Sequence, residues 1–111
     1  MNAITASERD RVGLARPDLL REANLVGGAW RSADDTVVVT NPATGGVLGA
    51  VPRFGAGEAK EAVAAAAAAL PAWRALGVKA RSAILRRWHD LIVAHTNDLA
   101  RLMTAEQGKP L

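Results

Sequence analysis

From Ile84 to Met103 apolar side chains return at steps of three and four: Ile84, Trp88, Leu91, Ile92, Leu99, Leu102 and Met103, with His95 in the same line. That period puts them on one face of a helix and leaves Arg86, Arg87, Asp90 and Arg101 off it. A segment patterned this way must lay its stripe against something, so Trp88 is expected to anchor a core with Ile84, Leu91 and Ile92. Thr96, Asn97 and Asp98 are cap formers, which predicts two helices joined by a bend and stopped by Gly108 and Pro110. Another helical segment comes before. Residues 62–70 are alanine with one valine and one leucine, a composition of high helix propensity. Glu58 and Glu61 lie at its positive end, and Pro71 is expected to stop or redirect it.

Before residue 55 the texture differs. Leu25, Val26 and Trp30 surround Gly27 and Gly28, Asp34 and Asp35 mark a turn, and residues 36–40 are β-branched; together they predict two strands of a hairpin. Residues 41–46 concentrate turn formers, and residues 47–51 predict a third strand closed by Pro52. Pro17 suits the first turn of a short helix running to Ala23. The expected fold class is α+β, an N-terminal β-meander followed by helices. Residues 1–13, polar and without pattern, are expected to be a disordered leader, leaving 14–111 as the structured part.

Composition removes several function classes. The 111 residues include no cysteine, so no disulfide framework, thiolate metal site or cysteine nucleophile is available. A balance of 14 Lys plus Arg against 11 Asp plus Glu gives +3, a weak field that does not call for a nucleic-acid partner. No apolar run approaches the roughly 20 residues of a membrane span. Without a secretory or organellar signal pattern, a cytoplasmic protein is expected.

Candidate chemistry is sparse. Gly55-Ala56-Gly57 precedes a helix, as in a dinucleotide fingerprint, but Lys60 stands where the third glycine belongs and no acid follows at the ribose-binding distance. Gly108-Lys109 lacks the upstream glycine of a phosphate loop and is followed by Pro110 rather than Ser or Thr. His89 and His95 lie six positions apart, about 240° around a helix, without a carboxylate to complete a metal site. Arg81, Arg86 and Arg87 beside Trp88 form a basic patch best explained as solvated surface. Ser7, Ser32 and Ser82 have no histidine and acid arranged for a hydrolase triad. No catalytic, cofactor-binding or metal-binding position is therefore assigned.

The residues taken in order carry more than any single motif. Trp30, Asn41-Pro42-Ala43-Thr44-Gly45, Val51-Pro52, Ala69-Leu70-Pro71-Ala72-Trp73-Arg74, Arg81, Ile84-Leu85-Arg86-Arg87-Trp88, Asp98-Leu99-Ala100 and the ending Met103-Thr104-Ala105-Glu106-Gln107-Gly108-Lys109-Pro110-Leu111 resemble the start of aldehyde dehydrogenases. The ending and the Leu85-Arg86-Arg87-Trp88 stretch are most similar to the NAD(P)-dependent succinate-semialdehyde dehydrogenase branch. The resemblance covers about residues 14–111. It departs at Gly27, which replaces a usual polar turn residue, and at Gly46 and Ala80, where acids are common.

Members of that family are several times longer, so the resemblance implies an N-terminal portion of the α/β aldehyde dehydrogenase fold. In the family a cysteine thiolate attacks the aldehyde, hydride passes to nicotinamide, and a glutamate activates water to release the acid. None of those groups maps onto a position here, so NAD or NADP and a small aldehyde are implied for the complete enzyme and no cofactor for this chain alone. Homo-oligomers are implied for the family, and self-association is expected of the isolated chain through its apolar helix faces. The alternative function is a stand-alone α+β protein-interaction module using those same faces; a basic helix binding nucleic acid is a third.

Overall fold

A computed structural model describes residues 7–111; residues 1–6 of the expected leader lie outside the described part. The elements in chain order are α1 (Glu8–Arg11), a 3-10 turn (Pro17–Leu19), β1 (Asn24–Val26), β2 (Ala29–Arg31), β3 (Thr36–Thr40), β4 (Val47–Pro52), α2 (Ala56–Ala75), α3 (Val78–Ala94) and α4 (Thr96–Gln107). The α+β class stands, with strands first and long helices after.

The β half consists of two separate antiparallel hairpins, β1 with β2 and β3 with β4, in place of a three-stranded meander. Gly27 and Gly28 explain the first. Their φ values of +58° and +80° form a two-residue turn whose twist suits paired strands, and Leu25 lies opposite Trp30. The second hairpin closes on Asn41. Its Oδ1 accepts from the Ala43 amide at 2.9 Å, and its own amide donates to the Gly46 carbonyl at 2.8 Å. A register shift between Val39 and Thr40 absorbs the uneven strand lengths. Asn24 Nδ2 donates to the Pro52 carbonyl at 3.2 Å, tying the hairpins together.

Residues 7–13, within the expected leader, form α1 and reach the core. Ser7 Oγ accepts from the Asp10 amide at 3.2 Å while Asp10 Oδ2 accepts from the Ser7 amide at 3.2 Å, a reciprocal cap that starts α1. Val12 is then buried with Leu48 and Ala105, and Leu14, Val39 and Leu102 pack against them. The core therefore joins the N-terminal segment, β4 and α4. The helix expected from Pro17 shortens to one 3-10 turn.

The long helices behave differently. Pro71 lies inside α2 without ending it; a proline removes the amide that would bond four residues back, but the alanines before it and Ala72-Trp73-Arg74-Ala75 after it favour helix enough to continue. Among the described residues, none in α2 or α3 is buried. Trp88, expected as a core anchor, is 64% exposed. The face assignment is right in period and wrong in destination, because among the described residues none covers that face enough to bury it. The consequence is an open body with a radius of gyration of 17.7 Å, against about 13 Å for a compact domain of this length. Its 8495 Å² of accessible surface exceeds the about 5,800 Å² typical of a compact protein of 11.6 kDa.

Candidate functional site

The glycine-rich start of α2 is spoken for. The Gly55 amide donates to Glu58 Oε2 at 2.9 Å, and bonds from the Glu58 and Gly55 amides hold the Glu58 carboxyl below its ordinary range. A carboxylate thus lies where a dinucleotide would place its pyrophosphate, and two like charges there repel. The residues present do not fit NAD or NADP at this helix.

The other candidates resolve into local structural duties. Gly108, at φ +83°, ends α4, and Thr104 Oγ1 donates to the Lys109 carbonyl at 2.6 Å. That end of a helix presents carbonyls, which disfavour an anion. His89 Nδ1 lies 3.2 Å from Asp90 Oδ1 on an exposed surface, and His95 sits at the junction of α3 and α4. Among the described residues no three His, Asp or Glu side chains are placed to hold a metal ion. Arg81 Nη1 donates to the Arg74 and Leu76 carbonyls at 3.3 and 3.2 Å, closing the end of α2. Arg86, Arg87, Ser32 and Ser82 are exposed, and Ser82 and Arg86 line one open surface hollow with His89.

The polar convergence that the fold does build was not singled out from the sequence. Asp98, only 6% exposed, accepts from the Ala15 amide at 3.0 Å and the Arg16 amide at 2.9 Å. Those two amides, and more weakly the charges of His95 and Arg101, hold its carboxyl below the usual aspartate range. Asp98 belongs to a cap-forming triplet, yet it caps no helix of its own; Thr96 Oγ1 donates back to the Val93 carbonyl at 2.9 Å. Two more carboxylates act alike. Glu8 Oε1 accepts from Asn41 Nδ2 and Thr44 Oγ1, each at 2.9 Å, and Gly46 leaves room for it, since a Cβ there would lie 2.7 Å from Glu8 Cγ. Glu22 accepts from the Ala50 amide at 3.0 Å and pairs with Arg9. A cleft of about 220 Å³ opens beside Glu8, Arg11, Asn41 and Arg101. The arrangement fastens a chain segment.

Comparison with known proteins places this geometry. Residues 30–111 match the aldehyde dehydrogenase family. A glutarate-semialdehyde dehydrogenase of Pseudomonas putida is 56% identical over 95 residues, covering 84% of this chain and 20% of the relative. A succinate-semialdehyde dehydrogenase of Escherichia coli, with NADP(+) in its name, is 53% identical over 96 residues, covering 85% of this chain and 20% of the relative. The crystal structure of a succinate-semialdehyde dehydrogenase from Burkholderia pseudomallei superposes with a TM-score of 0.85 at 49% identity, covering 88% of this chain and 21% of that one. The chain spans about a fifth of the length of these relatives. With most of its length matched by the family and its fold shared at close to half identity, the chain belongs to the aldehyde dehydrogenase family.

Proposed function

We propose that the chain serves as the N-terminal portion of an NAD(P)-dependent dehydrogenase that oxidises a short semialdehyde to the dicarboxylic acid, of the succinate-semialdehyde type. The observation that carries this reading is the bare surface of α2 and α3: both helices are formed and neither buries a residue. Helices so patterned draw most of their stability from a packed face, and about four-fifths of each relative's length lies outside the matched part, available to pack it. The names of two relatives share an aldehyde with a carboxylate at its other end, which supports a small anionic aldehyde as substrate. A cytoplasmic homo-oligomer completes the proposal.

In that role the described residues do structural work. The β3–β4 hairpin, the strapped N-terminal segment and α4 form the firm end, from which α2 and α3 extend. Covalent aldehyde oxidation by a thiolate is closed to a chain with no cysteine, and the start of α2 does not fit the nicotinamide nucleotide. Reading the coding sequence beyond the Leu111 codon tests the proposal: an open frame encoding a cysteine-bearing dehydrogenase supports it, and an immediate stop codon overturns it. The purified 111-residue chain is expected to turn over neither succinate nor glutarate semialdehyde with either nucleotide above the buffer background; turnover in a preparation shown free of host dehydrogenase contradicts the structural role.

A further inference from the structure

We propose that residues 7–22 form an acid-released strap, which leaves the body of the fold as one unit when the carboxyls of Glu22 and Asp98 are protonated, while the β3–β4 hairpin stays formed. The segment is closed on itself. Ser7 and Asp10 cap each other, the Val12 and Gly13 amides donate to the Arg9 and Asp10 carbonyls, and the Leu20 amide donates to the Pro17 carbonyl. Arg9 then pairs with Glu22 and reaches the Leu20 carbonyl at 3.4 Å, so the two ends of the segment meet. Among the described residues, every main-chain to main-chain bond made by residues 7–22 stays inside the segment.

Its attachment to the body is of another kind. Among the described residues, each hydrogen bond between strap and body has a carboxylate at one end: Glu8 with Asn41 and Thr44, Glu22 with the Ala50 amide, and Asp98 with the Ala15 and Arg16 amides. The body is shaped to receive them. A Cβ on Gly46 would lie 2.7 Å from Glu8 Cγ, and one on Gly49 would lie 3.3 Å from Glu22 Cδ. Around these latches the apolar seat is small, with Val12 buried on Leu48 and Ala105 and Leu14 packed beside it. At the far end Arg21 lies over the Trp30 ring, 4.7 Å from its centre. Charge-assisted bonds are roughly twice as strong as neutral ones, so the state of the carboxylates decides whether the strap stays seated.

The groups around the latches fix the direction of the response. Glu22 faces Arg9, with Arg21 beside it and Glu106 of α4 across a narrow cleft. Asp98 faces His95, Arg101 and Arg16, and the Arg16 guanidinium is itself paired with Asp18. Glu8 lies beside Arg11 and shares a cleft with Arg101. The arginines keep their charge in acid, so acid removes the negative half of each latch and leaves its cations in place. The Ala50 amide holds the Glu22 carboxyl below its ordinary range, and the Ala15 amide does the same for Asp98. Closure is therefore favoured in full above the ordinary carboxylate range and lost as pH falls through it. These contacts lie within residues 7–106, so the strap is independent of the semialdehyde reading and of whatever packs on α2 and α3.

Hydrogen exchange of the 111-residue chain, read amide by amide from about pH 6 to about pH 3, spans the ordinary aspartate and glutamate range. Protection at Val12, Gly13, Ala15 and Arg16 is expected to fall about tenfold or more. Asn41 and Arg53 should keep theirs, because their amides close the two ends of the second hairpin on the Gly46 and Asp35 carbonyls. Ala50 is the sharpest reporter: it lies in β4 but its amide is bonded to Glu22, so its protection should follow the strap and not its own strand. At pH 7, Glu22→Gln combined with Asp98→Asn is expected to lower strap protection about tenfold, to leave Arg53 unchanged and to flatten the acid response. Loss of protection in strap and hairpin together overturns the proposal, as do strap amides indifferent to acid or to the double substitution. An Arg53 amide unprotected at pH 7 overturns it too, since the strap would then have no body to leave.

Discussion

Residues 7–22 and helix α3 are opposites. The first segment shows no apolar period, yet three carboxylates hold it: Glu8 reaches the Asn41 turn, Glu22 reaches the Ala50 amide, and Asp98 takes the Ala15 and Arg16 amides. The second carries the clearest period in the chain and buries nothing. The contrast separates two kinds of information. A period states which face of a helix wants a partner and is silent on where the partner is. Bonds from side chain to main chain can order a segment with no period at all.

The largest expected effect tests the firm end of the molecule. Leu48, 2% exposed, is the best-buried apolar side chain among the described residues, and Leu48→Ala is expected to cost about 2–5 kcal/mol in a urea melt. A cost below that of any surface substitution would move the core elsewhere. Next comes Asp98→Ala, which frees two amides at once; it is expected to lower the melting temperature less than Leu48→Ala and to speed hydrogen exchange at Ala15 and Arg16. The Asp98 and Glu22 carboxyls both lie below their ordinary range, chiefly through the Ala15 and Ala50 amides respectively. A depressed pKa in the folded state means the stabilisation is complete above the ordinary carboxylate range and is lost as pH falls through it. Stability measured from pH 7 to pH 3 should therefore fall, and fall less in Asp98→Ala; an unchanged acid slope would remove Asp98 from the strap.

Smaller effects sharpen the other side of the contrast. Arg31 Nη1 donates to Glu61 Oε2 at 2.7 Å, linking β2 to α2 across a half-exposed surface, and Arg31→Ala is expected to cost less than about 1 kcal/mol in the same melt. Trp88→Ala should be the mildest, within about 0.5 kcal/mol when measured on protein dilute enough to be monomeric. A loss of several kcal/mol there would mean that α3 packs within its own chain after all.

The sequence showed those features whose cause is local. The alanine run made α2, Gly108 stopped α4, and the Asn41-Pro42-Ala43-Thr44-Gly45 block made the turn its composition implies. Gly27-Gly28 carried a hairpin signal of its own, but Asp34-Asp35 offered a competing turn, and the two compete for the same short strands. Ser7 and Asp10 have capping-box spacing; with no apolar run after them, the pair looked like leader. The usual effect of Pro71 is to end a helix, and the helix formers on both sides outweigh it. Asp98 was out of reach for another reason. Its partners are main-chain amides more than 80 positions away, and every non-proline residue carries one, so no residue type near Ala15 marks the contact.

That same indifference decides what natural variation the strap can absorb. Asp98 asks residues 15 and 16 only for an N–H in the right place, so either position can drift through polar, charged or apolar side chains without loosening the segment, provided neither becomes proline. Related chains should show a restless sequence at 15 and 16 facing a fixed acid at 98.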